Sequence, residues 1–122
     1  MNSKFTKNIA PFVQNEIQLS HVACSKKEND LAFNHLENAH VLGQESTYWH
    51  VKVHFLMFLW SIKNRKPKEF LGQIFRMFGA LTKTAIGLVP IGNTGGSNIS
   101  PFKKLPLRPE HRVAIFKAKG NA

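Results

Sequence analysis

Ile9, Val13, Ile17, Ser20 and Cys24 keep the three-to-four spacing of an inner helical face and predict a first helix over about residues 8–25. Pro11 falls near its expected start, where a missing N–H costs little. Residues 26–30 form a polar turn, and Asn29 or Asp30 can cap a second helix over about 30–42. Its inner face is Ala32, Leu36 and Ala39, and Gly43 stands where a left-handed C-terminal cap belongs. Ser46 or Thr47 can open a third helix over about 47–64. Its apolar residues, Trp49, Val53, Phe55, Leu56, Phe58 and Leu59 among them, cover nearly every side. A helix apolar all round is expected at the centre of a bundle.

Pro67 suits the first turn of a fourth helix over about 67–86. Phe70 or Leu71, Ile74, Phe78, Leu81 and Ala85 give it an apolar face. The pattern therefore assigns Phe70, Phe75 and Phe78 to the core, and Gly87 ends the helix. The chain then changes character: residues 87–108 are rich in Gly, Pro and Asn, a long loop of the kind that is functional or serves as a packed covering. Pro109 and Glu110 open a short closing helix over about 109–118. The expected fold is all-α: a single-domain bundle over 1–122 with four main helices, a short C-terminal helix and a loop folded back over the helix-two/helix-three end.

The spacing of Leu19, Ser20 and Ala23, then Ala32, Leu36 and Ala39, resembles one tetratricopeptide-type helical hairpin. The likeness covers about one repeat, and residues 47–80 do not continue it. It implies an antiparallel helix pair rather than an extended peptide-binding array.

Charge sharpens this picture by its distribution. The net charge is +10. Residues 1–61 hold five Lys/Arg against five Asp/Glu, while residues 62–122 hold twelve against two. The basic second half is suited to an acidic protein or a nucleic acid, or else is a solvated surface. The single cysteine, Cys24, permits no internal disulfide and fits a reducing compartment. The most apolar run is far shorter than the ~20 residues that span a bilayer, and the first residues lack a signal-peptide pattern. A cytoplasmic protein without membrane insertion is the expectation.

Candidate chemistry concentrates between helices two and three. Glu37 and His40 stand three apart at the end of one helix, and His50 and His54 four apart near the start of the next. Each pair shares a helical face. Converging across the groove, three imidazoles and a carboxylate suit a divalent transition metal such as Zn, Fe, Cu or Ni. Met57 and Ser61 continue the His50–His54 stripe. The residue after His50 is Val51 rather than a glutamate base, so the zinc-protease signature is absent. A second Glu-x-x-His pair is also missing, which argues against a ferritin-like di-iron centre. The expected site is mononuclear, with His40, His50 and His54 as ligands and Glu37 as fourth ligand or outer partner. An open coordination position would permit metal-dependent hydrolase or lyase chemistry; the same imidazoles also suit metal-free acid–base work.

A second candidate is an anion cradle of Gly92, Asn93, Thr94, Gly95 and Gly96, with Lys83 as its cation. The plain alternative is a tight turn that needs positive φ. The Lys-Ser/Thr ending of a P-loop is absent. Cys24, three residues from His21, lies on the inner face of helix one and reads as core, with a soft fourth metal ligand as the alternative; His35 and His111 read as surface residues.

The segments Ala39-His-Val-Leu-Gly-Gln44, His50-Val-Lys-Val-His54 and Thr82 to Asn98, with Ser100-Pro-Phe102, together resemble a family of short, mostly bacterial proteins classed only as a domain of unknown function. The likeness covers nearly the whole chain. It implies that the histidines matching His40, His50 and His54 belong with the Gly-Asn-Thr-Gly-Gly turn, as two walls of one pocket, and it implies no activity. Two readings follow: a small metal-binding protein, and a tetratricopeptide-like interaction module acting through its basic half.

Overall fold

The computed structural model describes residues 3–85 and 106–120, with side chains for residues 4–81 and 106–120. The described residues form helices α1 (Ser3–Ser25), α2 (Asn29–Gly43), α3 (Thr47–Lys63), α4 (Pro67–Ala85) and α5 (Pro109–Ala118), with no strand among them. Short turns join α1 to α2 and α3 to α4 as two antiparallel hairpins. They meet mainly along α2 and α3, while α5 lies against α1 and α2. Among the described residues, no helix is long and apolar enough to cross a membrane.

α1 begins at Ser3, earlier than residue 8, so Pro11 lies inside the helix rather than in its first turn. Tertiary contacts carry the extra turns despite the missing N–H. Phe5 and Ile9 are buried in the main core, the Trp49 indole N–H donates to the Thr6 carbonyl at 3.0 Å, and the Asn8 amide donates to Ala118 at the end of α5 at 3.0 Å. The α1–α2 hairpin follows its apolar spacing closely. Ile9, Val13, Leu36 and Ala39 are core, and buried Ser20 spends its hydroxyl on the Ala32 carbonyl at 2.9 Å.

The caps differ from expectation in two places. α2 starts at Asn29, after Glu28, and no side chain caps it. Its hairpin is instead closed by the end of α1, where Lys27 takes φ 60° and Glu28 N–H reaches back to the Ala23 carbonyl at 2.9 Å. The α3–α4 turn repeats this device with Arg65 at φ 54° and Lys66 N–H on the Ser61 carbonyl. Both are Schellman closures built on a non-glycine residue. Gly43, by contrast, is the last helical residue of α2 and is followed by the right-handed Gln44. It is not a left-handed cap. Glycine is needed there for close approach, because a Cβ would stand 2.7 Å from the Trp49 Cβ.

The larger departures lie in the second hairpin. α3 is not buried on all sides: Trp49, His50, Val53, His54, Met57 and Ser61 face inward, while Phe55, Leu59 and Ile62 are exposed. α4 is turned the opposite way from its hydrophobic pattern. Leu71, Phe75, Phe78 and Leu81 lie outside, and Gln73, Arg76 and Ala80 lie inside. Phe75 and Phe78 are therefore surface residues, and only Phe70 keeps a half-buried place, 4.8 Å from the Phe58 ring. The reason is in what α4 meets. It packs on the polar stripe of α3, and a polar stripe is best answered by amide and carboxylate groups.

Candidate metal centre

Two helix ends and a tight turn bring the histidines together. Ser46 is fully buried, and its hydroxyl accepts from the Trp49 N–H at 3.4 Å, capping α3. It also shares a 2.6 Å hydrogen bond with the Thr6 hydroxyl of α1. The absent side chain of Gly43 allows Trp49 to close on the end of α2. With the turn this tight, His40 in the last turn of α2 faces His50 and His54 in the first turns of α3.

All three imidazoles are buried, and one ligating atom from each lies within 4.8 Å of the other two. Ring centroids are 4.9 Å apart for His40–His50, 4.7 Å for His40–His54 and 5.0 Å for His50–His54. A tetrahedral ion with metal–nitrogen bonds of ~2.0–2.1 Å holds its nitrogens ~3.3 Å apart. The rings would close by up to ~1.5 Å, a movement on the scale of side-chain torsions.

Behind His54 stands a polar relay. Its Nδ1 lies 2.5 Å from Oε1 of Gln73, and the Gln73 Nε2 donates to the Glu69 carboxylate at 2.5 Å. An ionised carboxylate only accepts, so Glu69 orients the amide with Oε1 toward the ring. His54 must then donate from Nδ1, which leaves the Nε2 lone pair for a ligand. Gln73 is 0% exposed, so this amide is held in place by its surroundings. Arg76 follows on the same inner stripe of α4. Burial pushes its guanidinium below its ordinary value, and Glu69 opposes that shift.

Glu37 is half-buried one turn before His40 and is not one of the three residues whose ligating atoms converge. The proposed anion cradle, Gly92, Asn93, Thr94, Gly95 and Gly96, lies outside the described residues, as do the Lys83 side chain and the expected covering by the loop. Two histidines read as surface residues are placed differently. His111 is buried, and His35 is half-buried with Nδ1 2.7 Å from Glu16 Oε1, which also accepts from the Asn38 amide. Cys24 is only partly buried and lines a cleft of about 200 Å³ with His21, Ser20, Leu36 and Trp60.

Sequence reasoning missed Gln73 and Glu69. Their signal is faint: four residues apart on the polar face of an amphipathic helix, they look like ordinary solvated positions. Gln44, four residues after His40 and almost wholly buried, was equally unmarked.

Residues 7–115 match the family described as "Protein of unknown function (DUF3703)", and the chain belongs to that family. No curated protein and no solved structure matches it.

Proposed function

We propose that this member of the family is a small metal-binding protein whose site is His40, His50 and His54, with Glu37 as fourth ligand or outer partner. The observation that carries the reading is the convergence of three buried imidazole ligand atoms within 4.8 Å. Three imidazoles in a dry, hydrogen-bonded setting suit Zn, Fe, Cu or Ni better than hard cations such as Mg or Ca. The relay from Glu69 through Gln73 to His54 is the kind of outer support that fixes the tautomer of a metal-bound histidine. With one coordination position left open, a bound metal would supply a polarised water for hydrolase or lyase chemistry. With Glu37 closing the set, the protein holds or senses the ion instead.

The test is elemental analysis of protein purified without a histidine tag, beside a His50→Ala/His54→Ala variant checked for helicity by circular dichroism. The expected result is about one equivalent of a single transition metal in the parent and less than a tenth of that in the folded variant. Glu37→Gln should weaken binding without abolishing it if Glu37 is an outer partner. No metal on purification, together with no thermal shift on adding any of the four ions, would falsify the reading. It would favour the interaction module, whose basic half binds an acidic protein or nucleic acid with a steep salt dependence.

A further inference from the structure

The outward apolar face of the second hairpin is larger than a lone surface residue needs to explain. On α4, Leu71 is 65% exposed, Phe75 66% and Phe78 71%, with Leu81 beside them. On α3, Phe55, Leu59 and Ile62 are exposed as well. The two sets are continuous: the Phe55, Phe58 and Phe70 rings form a chain from α3 to α4, with centroids 6.3 and 4.8 Å apart, and Ile62 and Phe70 line one shallow groove. Large side chains that are half to two-thirds exposed present on the order of 100 Å² each, so the seven offer roughly 700 Å². That is about what each partner contributes to a standard interface, and it exceeds the ~300–600 Å² of the largest patch on an ordinary monomer.

We propose that a second copy of this chain covers this face, in a two-fold dimer that packs the α3–α4 hairpins antiparallel. The area of the face matches one side of a dimer, and the placement of charge disfavours a membrane or an acidic helix as occupant and selects the orientation. Lys63, Arg65, Lys66 and Lys68 are all exposed and all sit at the α3–α4 turn, at one end of the face. From residue 69 to 81, the one cation on α4 is Arg76, which is buried. A helix that lies on an anionic membrane carries cations along the flanks of its apolar face, and an acidic helical partner would require them there too. This face lacks them along its body. Parallel packing of two hairpins would bring the two basic turns together. Antiparallel packing separates them by about the length of α4, ~28 Å at 1.5 Å per residue, several times the ~8–10 Å Debye length. The dimer is isologous, so each Phe75, near the middle of α4, lies close to its counterpart across the axis.

The experiment is sedimentation velocity of the full chain from about 1 to 200 μM. The expected species is a reversible dimer of twice the 13.8 kDa chain mass. Leu71→Glu/Phe75→Glu should weaken association at least 100-fold with unchanged helicity, while Val113→Glu, exposed on α5, should leave it unchanged. In a Cys24→Ser background, Leu71→Cys mixed with Leu81→Cys should give the mixed disulfide, with little Leu71→Cys self-linkage. A monomer throughout the range, or a dimer that survives the double substitution, overturns the proposal, and preferential Leu71→Cys self-linkage overturns the antiparallel arrangement. Binding of a monomer to vesicles containing a quarter anionic lipid, lost in the Leu71→Glu/Phe75→Glu variant, also overturns it and assigns the face to a membrane surface.

Discussion

The first hairpin buries mostly its apolar spacing, with His40 and Ser20 as polar exceptions; the second buries a stripe of polar residues beside Trp49, Val53 and Met57 and leaves large apolar ones outside. In α1 and α2, Ile9, Val13, Leu36 and Ala39 fill the core, and a single buried hydroxyl, Ser20, is answered by a backbone carbonyl. In α3 and α4, His50, His54, Ser61 and Gln73 lie inside, while Phe55, Leu59, Leu71 and Phe75 lie outside. α4 is strongly amphipathic at helical spacing, so its departure from the first hairpin is one of rotation about the helix axis. It teaches that the hydrophobic face of a helix points to the core only when no polar group already buried there needs a partner. His54 is such a group. An unmet donor in the interior costs ~1–3 kcal/mol, and Gln73 meets it.

Four changes probe this contrast. Leu36→Ala, in the conventional hairpin, should cost ~2–5 kcal/mol through lost burial and a cavity, read as a fall in urea midpoint with little change in slope. Gln73→Leu, in the inverted hairpin, replaces a polar interior group with an apolar one of similar size and should still cost ~1–3 kcal/mol. It leaves the His54 N–H without its acceptor. The same change should weaken metal binding ~10–100-fold, measured by competition with a chromogenic chelator. If Gln73→Leu is instead neutral in both assays, the relay plays no part in orienting α4.

Gly43→Ala tests the turn that joins the two hairpins. A Cβ 2.7 Å from Trp49 must push α3 away from α2, and the expected cost is ~1–3 kcal/mol with a matching loss of metal affinity as His40 moves from His50. Retained affinity would mean that the turn absorbs the strain without moving the histidines.

The smallest effect belongs to the first hairpin's docking of α5. Burial, and then Arg108, hold the His111 imidazole below its ordinary value of 6.5, while Glu110 and Glu16 oppose them. The unfolded chain therefore takes up a proton before the folded chain does. Stability falls as pH drops from about 6.5 toward the lower folded value, and the loss is absent well above pH 6.5. His111→Gln should flatten that slope in urea titrations run with a chelator present. An unchanged slope would place the acid sensitivity elsewhere.

Spacing alone led to helices in the second hairpin and to the His40, His50 and His54 constellation, because three- and four-residue periods report a shared face without reference to a neighbour. The same logic misjudged α4. Period shows which residues lie together on a helix, not which way that face turns, and Leu71, Phe75 and Phe78 point outward. Gln73 and Glu69 were invisible for a related reason: their role exists only against His54, nineteen residues before Gln73. Pro11 was likewise read by its local cost, whereas Phe5 and Ile9 gain enough burial to extend α1 past it.

By itself, the sequence determined the helical periods, a cap for α3 at Ser46 or Thr47 and the pairing of His50 with His54, since each depends on neighbours within one or two turns. Tertiary structure alone decided that Gly43 serves close approach rather than a left-handed cap, that His111 is buried, and that α4 turns its polar face inward. Those outcomes depend on contacts between segments distant in the chain, and there the need to satisfy a buried imidazole outweighs the preference of four exposed apolar side chains.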